Sequence, residues 1–244
     1  MIEVTEQDGV AILRLDHGPV NALDLEILTE LPDALARVAD ARAVVLTGAG
    51  RCFSAGVDLK RIIDGGPGYV QEFIPALGRA AYAWFTHPKP TVAAVNGHAL
   101  AGGCVLAAAA DVTLMSGGTI GLTELAAGVP FPTVPLEIMR HACAAVTSLV
   151  LTAKTMGPNE AVAIGLVDEV VTPDELIAVA TTRADKLAGV PSAVYALSKT
   201  QLRRPAVQRI DELRAVDDPT VIEIWGSDAT RDYLTGFMAS LGRG

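Results

Sequence analysis

The chain has 244 residues, 50% of them hydrophobic and 19% charged, enough apolar material for one sizeable core, which excludes a disordered chain. A formal net charge of −9 excludes a general nucleic-acid binder, since phosphate recognition needs a basic face, although a local basic cluster can still meet a small phosphorylated ligand. The three cysteines, Cys52, Cys104 and Cys143, are widely spaced in apolar contexts, which excludes a disulfide framework and a paired-cysteine metal site.

The opening residues Met1 to Glu6 carry neither a basic nor an apolar leader, so they read as mature protein, with the cytoplasm as the expected compartment. Residues 2–15 alternate apolar and polar side chains on either side of Asp8-Gly9, which predicts a tight antiparallel hairpin. Asp24 then caps a helix whose Leu25, Leu28, Leu31, Leu35 and Val38 recur at helical spacing, with Pro32 inside it. Residues 43–47 and 91–95 are short, apolar, β-branched runs suited to buried strands, and each exits into a glycine-containing loop. Asp64-Gly65-Gly66-Pro67-Gly68 reads as a mobile connection. Residues 99–110 form the longest apolar run, too short for the roughly 20 residues of a membrane span, and read as a buried helix beginning near Gly102. A strand at residues 112–115 follows, so strand, loop and helix alternate, which means an α/β domain. From residue 191 strand-like runs vanish, which divides the chain into a core of residues 1–190 and a helical region of residues 191–244. Its Trp225, Tyr233, Phe237 and Met238 are suited either to a partner subunit or to packing on their own domain.

The two loops after the central strands decide the chemistry. Neither fits a nucleotide fingerprint: counting from Gly48, the last glycine of G-x-G-x-x-G falls on Phe53, and no Lys-Ser or Lys-Thr follows either loop. No G-x-S-x-G elbow occurs. Small residues in both loops instead allow a ligand oxygen close to exposed backbone N–H groups, as an oxyanion hole requires.

These motifs resemble those of the enoyl-CoA hydratase/isomerase, or crotonase, family. The resemblance is carried by Phe53-Ser54-Ala55-Gly56-Val57-Asp58-Leu59-Lys60, by His87-Pro88-Lys89-Pro90, Ala93-Ala94-Val95-Asn96-Gly97 and Gly102-Gly103-Cys104, and by Gly165-Leu166-Val167-Asp168-Glu169-Val170-Val171. It implies a spiral of ββα units with a C-terminal helical region, a trimer or hexamer, and an acyl-CoA substrate whose coenzyme A is part of the substrate, with no separate cofactor or metal. It places the oxyanion donors on the N–H groups of Val57 and Gly102 and the catalytic carboxylate on Glu124. Ser54, Ala55, Gly56, Val57, Asp58, Leu59, Lys60 and Thr123 are implied as substrate and CoA contacts, Asp58 also reading as a turn-stabilising carboxylate. Lys60 and Arg61, with Arg51, form the local basic cluster. Hydratases of the family carry a second glutamate one turn past the Gly102 donor, where this chain has Val105. One carboxylate suffices to move a proton from C2 to C4 of a 3-enoyl thioester, so the resemblance points to Δ3–Δ2 isomerisation. The alternatives are a hydratase with a substituted second acid and a non-catalytic acyl-CoA binder. His98 and Glu137 are weaker candidates, Glu137 reading mainly as an exposed helix residue.

Overall fold

The computed structural model describes residues 1–241. Strands β1 (Ile2–Gln7) and β2 (Val10–Leu15) form the predicted hairpin, with Asp8 and Gly9 at φ 52° and 77° supplying its two left-handed turn residues. Helix α1 (Leu25–Arg37) begins where Asp24 Oδ1 accepts the N–H of Ile27 at 3.1 Å, and it buries Ile27, Leu28, Leu31, Ala34 and Leu35 along one stripe.

From there the chain repeats one move three times: a strand joins a large sheet, a short strand joins a smaller one, and a helix leads back. The units are β3 (Ala43–Gly48), β4 (Cys52–Ser54) and α2 (Leu59–Phe85); β5 (Thr91–Val95), β6 (His98–Leu100) and α3 (Gly102–Ala108); β7 (Val112–Met115), β8 (Ile120–Gly121) and α4 (Thr133–Ala142). Strands β3, β5 and β7 are parallel neighbours in one sheet, and β4, β6 and β8 in the other, so each unit steps sideways from the last. Helix α5 (Val146–Leu151), strand β9 (Thr155–Met156), helix α6 (Pro158–Ala163), strand β10 (Glu169–Val170) and helix α7 (Leu176–Ala188) complete this part. The large sheet is covered on both faces. Leu13, Leu46 and Ala93 point into the main core, while Val10, Ile12, Val45 and Val92 pack on Leu176, Ala180 and Ala184 of α7. Burial on both faces is why β3 and β5 are continuously apolar and do not alternate.

One expectation needs correction. The stretch Asp64 to Gly68 is not a free connection: it lies inside α2, where Gly66 (φ 60°, ψ −156°) is the one non-helical residue and joins two helical segments at a kink. Glycine absorbs that angle, and Pro67 opens the second segment. Of the apolar run 99–110, the helix starts at Gly102 as expected, while the residues ahead of it are taken by β6.

The chain ends in α8 (Ser192–Trp225) and α9 (Asp228–Leu241). Helix α8 is docked by buried polar contacts as much as by apolar ones. Asp111 receives Lys199 Nζ at 2.8 Å, Arg203 Nη2 at 2.7 Å and the Tyr195 hydroxyl at 3.0 Å. Burial pulls the Lys199 ammonium down to about 8 against the opposing pull of Asp111. Removing one partner from such a buried group typically costs about 3–5 kcal/mol. Trp225 and Leu234 are buried against this same chain, so the tail packs on its own domain at those positions. Among the described residues no helix is long and apolar enough to cross a membrane.

Candidate active site

After β4 the chain reverses through Ala55, Gly56 and Val57 before Asp58 caps α2, its carboxylate accepting the Arg61 N–H at 3.1 Å. Ser54 is fully buried: its hydroxyl donates to the Asn21 carbonyl at 2.7 Å and accepts the Gly56 N–H at 3.1 Å. Its hydroxyl is therefore spent within the loop, which it shapes from inside. The Ala55 N–H donates to Val20 at 2.9 Å, and that of Asp58 to Leu23 at 3.0 Å. Leu23 pairs with Val57 as an isolated bridge, its own N–H donating to the Gly56 carbonyl at 2.7 Å. Among the described residues the Val57 N–H finds no acceptor.

The second loop turns on Ala101, whose φ of 49° and ψ of −122° lie where a residue with a Cβ is strained by about 1–3 kcal/mol. The Ala101 N–H is anchored on the Gly121 carbonyl at 2.9 Å, and the twist frees the first N–H of α3, that of Gly102, which also finds no acceptor among the described residues. The two loops touch. A Cβ on Gly56 would stand 2.5 Å from the Leu100 carbonyl oxygen and 3.2 Å from the Gly102 nitrogen, and one on Gly103 would stand 2.3 Å from the Ser54 carbonyl oxygen. Neither position admits a side chain, so glycine there lets the two loops that carry the unpaired donors pack against each other. The approach to Gly102 is aliphatic: a Cβ there would meet Leu23 Cδ1 at 2.8 Å and Leu77 Cδ1 at 3.9 Å.

The third unit brings the carboxylate. Strand β8 pairs with β6 through Ala99 with Ile120 and Leu100 with Gly121, so the chain leaving β8 runs beside the second loop. Glu124 lies three residues past Gly121 in a turn closed by the Ala127 N–H on the Thr123 carbonyl at 3.0 Å and the Val129 N–H on the Glu124 carbonyl at 3.0 Å. The Glu124 carboxyl is buried, and its Oε2 has no hydrogen-bond partner. Burial pushes its pKa up to about 8, opposed only by the N–H groups of Glu124 and Thr123. It faces Cys104 on α3, whose thiol is pushed well up by burial first and by Glu124 next, as suits a structural thiol. The third unit thus adds a buried carboxyl, with its pKa raised by burial, beside the helix whose first N–H is unpaired.

The sequence model of the family described as Enoyl-CoA hydratase/isomerase matches residues 5–239. The chain belongs to the enoyl-CoA hydratase/isomerase family. Among relatives it is 28% identical to the mouse "Enoyl-CoA delta isomerase 1, mitochondrial", over 99% of this chain and 86% of that protein. It is 35% identical to a "Putative enoyl-CoA hydratase" of Thermus thermophilus, over 88% of each. The crystal structure of human mitochondrial delta3-delta2-enoyl-CoA isomerase superposes with a TM-score of 0.93 at 25% identity, covering 99% of this chain and 98% of that one. The ββα spiral is therefore the crotonase-type fold.

Within this hydratase/isomerase frame, position 105, one turn past Gly102, is a buried valine in the apolar core. Glu137 is not the exposed helix residue the sequence suggests. It is 1% exposed, with its carboxylate bound by Arg140 at 3.0 Å and Arg209 at 2.5 Å, which leaves it occupied in fastening α8 to α4. His98 is exposed and shares a hydrogen bond with Thr119 at 2.9 Å. Leu59 opens α2 and packs partly on the core. Lys60 pairs with Asp64, and Arg61 with Glu26 at 3.0 Å, both on the surface, where such pairs are weakly held and free to exchange for a phosphate. Motif reading does not find Leu77, which flanks the donor from a distant helix, nor the strain at Ala101, which no residue type advertises.

Proposed function

We propose that this chain is a Δ3–Δ2 enoyl-CoA isomerase in which Glu124 is the only proton carrier. The Val57 and Gly102 N–H groups hold the thioester oxygen, and Glu124 takes a proton from C2 of a 3-enoyl thioester. The negative charge spreads over C2, C4 and the oxygen, where the two donors stabilise it most strongly in the transition state. Glu124 then returns the proton to C4, leaving the 2-enoyl product. Leu23 and Leu77 give the acyl chain an apolar lining and keep water from the dienolate, and the Lys60 and Arg61 cluster is placed to meet CoA phosphates. As proposed, the reaction draws on no group beyond the coenzyme A that the substrate itself carries.

The observation that carries this reading is that Glu124 is buried with its Oε2 unpartnered among the described residues, while a buried valine, Val105, occupies the place of a second acid. Hydration needs one group to activate water at C3 while another delivers a proton to C2. Wild-type protein is therefore expected to convert a 3-enoyl-CoA to the 2-enoyl-CoA at least about 100-fold faster than it hydrates a 2-enoyl-CoA, the low end of what one missing acid–base group costs. Paired spectrophotometric assays on the two thioesters check this. Hydration as fast as isomerisation would replace this reading with a hydratase whose second acid comes from elsewhere in the fold.

A further inference from the structure

Glu124 sits in an irregular segment whose Leu122, Ala127, Val129 and Phe131 pack into the core but whose backbone has few long-range hydrogen bonds. Residues 122–132 belong to neither helix nor strand, and Pro130 and Pro132 remove two backbone donors there. Apart from its own turn, three anchors are supplied from the far end of the chain. The Trp225 indole N–H, at the end of α8, donates to the Pro130 carbonyl at 2.8 Å, with Trp225 itself buried against Phe73 at 6.4 Å between ring centroids. Asp218 accepts both the N–H and the hydroxyl of Thr133, at 3.0 and 2.8 Å, where α4 begins without a side-chain cap of its own. The Tyr233 ring of α9 lies on Gly128, so close that a Cβ on that glycine would stand 2.5 Å from Tyr233 Cδ1. The contacts fall at residues 128, 130 and 133, directly after the Glu124 turn.

We propose that the C-terminal helices are part of the catalytic apparatus, with Trp225 a positioning residue that fixes Glu124 by holding the Pro130 carbonyl and Tyr233 its second clamp. The inference rests on Glu124 being the base. Without the indole donor a part-buried carbonyl loses its partner, and the segment shifts to pair it with water. A shift of this kind acts on Glu124 in two ways: it displaces the carboxylate from the proton it must reach, and it lets solvent in, which relieves the burial that raises its pKa. Substrate affinity, set by the two N–H donors and the CoA entrance on other elements, is not touched.

The test is Trp225→Phe, which keeps an apolar ring and removes the N–H, beside Tyr233→Ala, a change at a half-exposed side chain that leaves the core in place. Both are compared with Glu124→Gln as the full chain in the 3-enoyl-CoA assay. For Trp225→Phe we expect kcat to fall roughly 10–100-fold with KM within about twofold, as a misplacement near 1 Å produces. The acid limb of its pH profile should move to lower pH than that of wild type. Tyr233→Ala should move the limb in the same direction and decides the matter should Trp225→Phe not fold. An unchanged kcat, or a lower kcat whose acid limb stays in the wild-type position, overturns the proposal. Activity retained in Glu124→Gln would instead remove the base assignment beneath it.

Discussion

Glu124→Gln is expected to lower 3-enoyl-CoA isomerisation by about 10²–10⁴-fold, the usual contribution of a positioned general base, while far-UV circular dichroism stays that of wild type. The amide keeps the size of the carboxyl but cannot accept the C2 proton. In wild type the base is active only when ionised, so kcat/KM should rise with pH and level off above about 8, the value to which burial pushes the Glu124 carboxyl. The same burial has a stability signature. Between the ordinary 4.5 and about 8 the folded state keeps a proton that the unfolded chain has released, so wild-type stability falls as pH rises through that window. Glu124→Gln carries no such penalty. It should match wild type near pH 4 and exceed it by roughly 3–5 kcal/mol above pH 8, at about 1.4 kcal/mol per pH unit of linkage. Urea melts of both proteins at several pH values measure this.

Gly102→Pro is expected to reduce kcat/KM by about 10²–10³-fold, the typical cost of removing one oxyanion donor. Proline has no N–H and is tolerated at the first position of a helix, which Gly102 occupies in α3. Proline also adds a Cβ, which at this position meets Leu23 Cδ1 at 2.8 Å, the end of a flexible side chain. Gly102→Ala carries the same Cβ and keeps the donor, so it controls for that contact, and the remaining difference reports the N–H together with the ring that replaces it. Equal activity in Gly102→Pro and Gly102→Ala would mean that this N–H does not hold the thioester oxygen.

How much of this was legible in the sequence differs from element to element. The hairpin at Asp8-Gly9, the Asp24 cap and the strands β3, β5 and β7 could be read because each is set by local chemistry: a turn dipeptide, a capping carboxylate, a β-branched run. Short strands such as β4, β6 and β8 could not, since two or three residues carry no period and gain their pairing only from the neighbouring unit. The kink at Gly66 was hidden for the opposite reason, because a glycine-proline cluster is the signature of a loop until helical segments on either side capture it. Whether the tail covers its own domain was undecidable from α8, whose docking runs through Lys199, Arg203 and Arg209, residues that look like solvated surface. At the site, the family motif pointed to Val57, Gly102 and Glu124. It could not show that Ser54 turns inward, that Glu137 is spent on two arginines, or that Trp225 reaches Pro130, since these are long-range pairings with no trace in local composition.

The central claim, that one carboxylate carries the proton from C2 to C4, is tested most directly by following the label itself. A 3-enoyl-CoA deuterated at both C2 positions is converted in ordinary water, stopped at low conversion, and the 2-enoyl-CoA product is examined by deuterium NMR and mass spectrometry. Because Glu124 is buried and its Oε2 has no other partner, the deuteron it takes should reach C4 before solvent replaces it, so deuterium should appear at C4 of a substantial share of the product. A product with no deuterium at C4 at any early time, the position being filled only from solvent, would contradict a single-base shuttle.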